Sequence, residues 1–228
     1  MKKWFLHATV PFFLFGSALS AAPCVSGTLQ SYINLGVTGC SVGGVDYSAF
    51  SLVPGQFGAT QISPGSINIT PGGTQLQTML LLSLNQTASA GMLLETIFRV
   101  RAAGLLSTAS IALNSPTVTG DGAVTGFLDV CAGGNFVGSA PSGCPTTARS
   151  ALVFATAGGP NQLSDSVSFV PTSFFDIFFD VSIDGGSTGG ATLTSTSLGV
   201  NAVPEPSAII LVALGIGAIG IRRYRFQS

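Results

Sequence analysis

The side chains that could carry chemistry are few, and three recur at a fixed interval: Asp176, Asp180 and Asp184. On a strand rising about 3.3 Å per residue they share one face, but successive members stand about 13 Å apart. Calcium takes about 6–8 oxygens at about 2.3–2.6 Å, so a single strand cannot supply its cage. No metal site is expected; Asp184, beside the glycine-rich stretch 185–190 and its carbonyls, is the one weak candidate. Solvated carboxylates on an exposed face are the favoured reading. Glu95 and Arg99 are likewise expected to form a solvated pair on an outward face.

Catalysis has little to draw on. The only histidine is His7, and residues 21–202 contain no lysine, so a serine nucleophile there would lack a base. Two carboxylates would suffice for glycoside hydrolysis, but no motif brings two together, and the only tryptophan is Trp4. No Gly-x-Ser-x-Gly, phosphate loop or dinucleotide fingerprint occurs. The chain is expected to be no enzyme and to need no cofactor.

Cysteine chemistry is more informative. Cys24, Cys40, Cys131 and Cys144 are even in number, include no Cys-x-x-Cys pair and have no histidine in the body beside them, which favours disulfides over zinc. Three pairings are open. Cys24–Cys40 and Cys131–Cys144 are favoured, because each is local and flanked by glycine-rich turns.

The elements that must position these groups read as β-strands. Between residues 21 and 202, three arginines (Arg99, Arg101, Arg149) face eight acids, leaving a charge of -5. That balance excludes a basic surface for nucleic acid. Low charge combined with a high apolar fraction and abundant Gly, Ser and Thr suits an exported β domain better than disorder.

A short stapled unit opens the body over 24–50, with one helical turn near Leu29–Leu35 ended by Gly36 and a turn over 39–44. Pro-Gly pairs at 54–55, 64–65 and 71–72 punctuate strands. Residues 76–84 read as a buried strand and 92–101 as an alternating one. Further strands cover 124–131, 151–156, 175–184 and 191–198. In 175–184, Phe175, Ile177, Phe179, Val181 and Ile183 point one way and Asp176, Phe178, Asp180, Ser182 and Asp184 the other, giving one buried face. The expected architecture is an all-β, antiparallel β-sandwich, jelly-roll-like, over residues 21–202.

Both ends look like address signals. Lys2 and Lys3, an apolar stretch and small residues at 17–22 predict a signal peptide over 1–20, cut after Ser20, with Ala21 an alternative; an uncleaved amphipathic anchor is the rival. At the other end, Val203, Pro204, Glu205 and Pro206 precede an apolar run from Ala208 to Ile221, then Arg222, Arg223 and Arg225. Prolines so close together fix the start of a helix. Fourteen residues reach about 21 Å, short of the roughly 30 Å hydrocarbon core. The arginines keep the tail cytoplasmic. Physics alone fits either a plain C-terminal transmembrane anchor or a tail removed after recognition.

Tripeptide, short helix and basic cluster, in this order at the extreme C-terminus, resemble the PEP-CTERM sorting signal of exported bacterial proteins. The patterns at 24–50 and 176–193 resemble the opening and closing hairpin of a PEP-CTERM subgroup of uncharacterised function. The resemblance implies a body, 21–202, exported by the secretory translocon and signal peptidase and held transiently at the inner membrane by the sorting signal, 203–228. It further implies that the protease exosortase cuts near the motif and sends the body to the cell surface or extracellular matrix. The implied role is structural or adhesive. The alternative is a carbohydrate-binding module, calcium-assisted, for extracellular polysaccharide; Tyr47, Phe136 and Phe178 are its candidate exposed aromatics.

Overall fold

The computed structural model describes residues 21–56, 58–138 and 141–204. The signal peptide, Glu205, Pro206, the Ala208-to-Ile221 run, Arg222, Arg223 and Arg225 lie outside the described residues. Along the chain come β1 (Gly27–Thr28), α1 (Leu29–Asn34), β2 (Cys40–Val42), β3 (Val45–Val53), β4 (Thr60–Gln61), β5 (Asn68–Gly73) and β6 (Gln77–Ser89). They are followed by β7 (Leu93–Thr119), β8 (Ala123–Ala132), β9 (Thr147–Thr156), β10 (Ser164–Asp184) and β11 (Gly190–Ala202). The fold is all-β, and every strand pairing is antiparallel except β4 with β7.

The short helix forms because Thr28 caps it, its hydroxyl accepting from Ser31 N at 3.2 Å, while Leu29 and Tyr32 turn inward. Gly36, at φ 58°, lets the chain leave it through the left-handed region. Cys24–Cys40 ties this unit down, and Cys131–Cys144 closes a second loop; both are disulfides. The expected turn over 39–44 holds more order than that, since Cys40–Val42 pairs with β3 as a strand.

β7 organises the rest. Its first half pairs with β3 on one side and β10 on the other; its second half pairs with β11 and the start of β10. The strand order is β1-β5-β6-β11-β7-β10-β8-β9. Opposite strands meet across the core: a Cβ on Gly126 of β8 would lie 3.0 Å from Ile111 Cδ1 of β7. β10 and β11 are not hairpin partners, contrary to the sequence expectation, because β7 lies between them.

Period two explains the core. Leu94, Thr96, Phe98 and Val100 of β7 and Phe175, Ile177, Phe179, Val181 and Ile183 of β10 are all buried. An aromatic ladder runs through it: Tyr32 to Phe50 at 5.2 Å, Phe50 to Phe98 at 6.3 Å and Phe98 to Phe179 at 5.1 Å between centroids. Within 76–84, β6 buries only Thr78, Leu80, Leu82 and Leu84, so that segment is half-buried rather than buried. In the other direction, residues 175–179 of β10 are buried on both faces, where alternation predicted one.

Candidate functional site

The second buried face comes from chain remote in sequence. The Cys131–Cys144 loop and residues 53–56 fold over the outer side of β7, β10 and β8, where Val53, Cys131, Phe136 and Phe178 form a small second core. The aspartates expected in water therefore meet three different environments.

Asp176 is 2% exposed. Its carboxylate accepts from Arg99 Nε at 2.8 Å, from Arg99 Nη2 and from Phe136 N at 2.7 Å. Arg99 Nη2 also donates to Phe136 O at 3.0 Å, and its guanidinium lies over Phe178, 5.6 Å from the centroid. Two-pronged pairing is what a planar guanidinium does best. Arg99 thus joins Asp176, not Glu95, and the expected solvated Glu95–Arg99 pair does not form.

Glu95 is instead completely buried. One carboxylate oxygen accepts from Gln56 N, while Oε1 has no partner. Asp180, half-buried on the neighbouring strand, has an unpartnered buried Oδ1. Burial, then the charges of Glu95 and Asp129, push the Asp180 carboxyl up to about 7. Asp180 and Asp129 line a cleft of about 210 Å³ with Pro54, Gly55, Gln56 and Phe178. Asp129 accepts from Ser150 Oγ.

The folded value lies above the ordinary 3.8, so the native state binds the extra proton. Stability from this group is full below about pH 4 and is lost as pH rises through about 7. Glu95 and Arg99 face it from β7 and Asp129 from β8. Asp180→Asn is expected to flatten that fall in urea midpoints taken from pH 4 to 8; an unchanged slope would remove Asp180 as its source.

Asp184 is exposed, and its Oδ1 accepts from Gly186 N at 2.8 Å, so it closes a turn. Among the described residues, no group of three or more His, Cys, Asp or Glu is placed to hold a metal ion. Asp121, in the turn between β7 and β8, organises the same loop. It accepts from Ser187 Oγ at 2.5 Å, Thr188 N at 2.9 Å and Ser187 N at 2.8 Å, which hold its carboxyl below the usual range.

The candidate aromatics are corrected. Tyr47 is 0% exposed, with its hydroxyl 2.7 Å from Thr78 Oγ1, and Phe136 and Phe178 pack edge-to-face at 5.3 Å in the second core. None offers a stacking surface. Phe127, which sequence reasoning missed, does: it is 41% exposed, directly opposite Asp180 on β10 and Leu152 on β9.

At the C-terminal edge, Ala202 N donates to Leu76 O at 2.9 Å and Val203 N to Leu105 O at 2.7 Å, so the backbone is pinned as far as the first residue of the motif. Pro204, which has no N–H, begins the release from the sheet. Among the described residues, no helix is long and apolar enough to cross a membrane.

Residues 202–225 match the model of the PEP-CTERM protein-sorting motif. No curated protein matches the chain. A solved structure of TmCBM61 in complex with β-1,4-galactotriose is similar at 12% identity over 67% of this chain and 86% of that one, with a TM-score of 0.28. Superposition that loose carries no argument about the site.

Proposed function

We propose, from the premise that this chain is an exported protein bearing the PEP-CTERM sorting motif, that it is an exosortase-processed component of the cell surface or extracellular matrix, structural or adhesive rather than enzymatic. The observation that carries this is the motif over 202–225, directly behind a strand whose hydrogen bonds end at Val203. The secretory translocon delivers the body, signal peptidase removes residues 1–20, and the 208–221 tail holds it briefly at the inner membrane. Exosortase then cuts near Pro204-Glu205-Pro206. A body without histidine or lysine between residues 21 and 202 supports the absence of catalysis.

Intact mass of the protein recovered from host membrane, matrix and medium tests this. The matrix or medium form is expected to lack residues 1–20 and everything beyond about Pro206, and to weigh four hydrogens less than the reduced chain, for two disulfides. A full-length C-terminus retained in the inner membrane would sink the proposal and leave an anchored periplasmic domain.

One observation favours a second reading, binding of extracellular polysaccharide. Exposed Phe127 and Leu152 form an apolar step beside the Asp129 and Asp180 acceptors, as a sugar ring with its hydroxyls would require. Binding on a glycan array, abolished by Phe127→Ala, is the expected result; an array without hits removes this reading.

A further inference from the structure

Residues 21–202 hold only three arginines in a body of charge -5, yet Arg99 and Arg101 line one cleft of about 340 Å³ whose only acid is Asp176. Asp176 is already taken by Arg99 and Phe136 N. Arg101 is half-buried and has no carboxylate partner among the described residues. Asn135 Oδ1 accepts from its Nη2, and its guanidinium lies over Phe174, 4.9 Å from the centroid. The group is thus oriented while its other N–H donors stay open. Asp46, exposed two pairs further along β3, does not line the cleft.

Backbone geometry marks the same place. Ser48 opposes Arg101 and Ser51 opposes Arg99, so β3 carries one extra residue against β7, a bulge directly beside the two arginines. Within it Ala49 stands at φ 54°, a left-handed conformation that residues with a side chain seldom adopt. Its N–H donates to Gly36 O at 2.8 Å, which ties the 36–37 segment of the Cys24–Cys40 loop to the cleft wall. Asn135 comes from the Cys131–Cys144 loop, so both disulfide-closed loops set the surroundings of the arginines.

We infer that this cleft binds the carboxylate of a hexuronate sugar, with Arg101 as the residue that recognises it. A planar guanidinium with open donors matches a carboxylate better than any other side chain does. Two arginines against one aspartate give the cleft a charge of +1, opposite in sign to the body around it. A bare anion would leave most of the volume empty. Val37 and Ala49 offer an apolar wall to the C–H face of a ring, and the Ser51 hydroxyl, without a partner among the described residues, is there for a ring hydroxyl. That the sugar belongs to an extracellular polysaccharide rests on the surface or matrix reading. Recognition of the carboxylate does not, nor does it depend on the Phe127 face.

Calorimetric titration of the protein recovered from its host, from whichever fraction yields it, tests the assignment with a hexuronate oligosaccharide and the matching neutral hexose oligosaccharide. The uronate is expected to bind about tenfold more tightly, or better, than the neutral sugar. Arg101→Gln is expected to weaken it by about the same factor, and Arg101→Lys by less, since the charge stays while the planar fork is lost. Val37→Glu, at a position 89% exposed, sets a like charge beside the cleft and is expected to weaken binding severalfold. If Arg101→Gln does not fold, this surface change still decides. Arg149→Gln, outside the cleft, is expected to bind like the unmodified protein. No heat with the uronate at about 10 mM, equal affinity for the two sugars, or undiminished binding in a folded Arg101→Gln variant would overturn the proposal. Acetate or an acidic peptide bound as tightly as the uronate would overturn its sugar part. Failure of the surface reading shows separately, as an unprocessed C-terminus in the mass measurement.

Discussion

Replacing Arg99 by Ala is expected to lower the unfolding free energy by about 3–5 kcal/mol, because it leaves the buried Asp176 carboxylate with a single backbone donor, Phe136 N. The arginine is itself 25% exposed, so the Coulombic part is partly screened and the lower end of the range applies. Most of the loss is the cost of the stranded carboxylate. Asp176→Asn with Arg99 retained is therefore expected to cost less than Arg99→Ala. Urea unfolding of both variants measures the difference. A loss below about 1 kcal/mol for Arg99→Ala would mean that the pair is solvated after all. Arg99→Lys keeps the charge but not the two-pronged fork, and falls between.

Phe98→Ala is expected to cost about as much by another route. Its ring is fully buried between Phe50 and Phe179, and truncation loses transfer free energy and opens a cavity, together about 3–5 kcal/mol. Total stabilities are typically about 5–15 kcal/mol, so this variant approaches the limit of folding. Phe98→Leu, which refills much of the volume, is expected to recover most of the loss. If Phe98→Ala shifts the urea midpoint no more than an exposed-site control such as Val37→Ala, the ladder is not the centre of the core; Val37 is 89% exposed.

Local pattern carried the strands and staples of this fold into the sequence. Alternation from Leu94 to Val100 and from Phe175 to Ile183 reports a pleat with a core on one side, and neither depends on distant chain. The two disulfides were legible for the same reason, since each closes a short loop. What local pattern could not carry was the second side. Glu95 and Asp176 look solvent-facing by alternation, and they are buried because the Cys131–Cys144 loop and residues 53–56 arrive from elsewhere. The pair Arg99–Asp176 spans 77 residues, beyond any periodicity. The same limit hid β7's length. Gly104, at φ 145° with Gly44 O only 2.8 Å from where a Cβ would stand, lies inside β7, which continues well beyond residue 101, where the expected strand ended. The placement of β11 between β6 and β7 is a matter of topology, which a repeat of two residues does not encode.

That placement has a mechanical side. Any load applied at Val203 enters the body through β11, the strand that leads into the motif. Were β11 an edge strand, tension at Val203 could peel it away one bond at a time. Held instead between β6 and β7, with ladders running from Gly190 to Asn201 on one side and from Gly190 to Ala202 on the other, it is loaded in shear along both at once. Rupture then requires many bonds to fail together, and resistance to pulling is set by the unfolding rate rather than by equilibrium stability. The strand that leads into the motif thus carries load along two ladders rather than one.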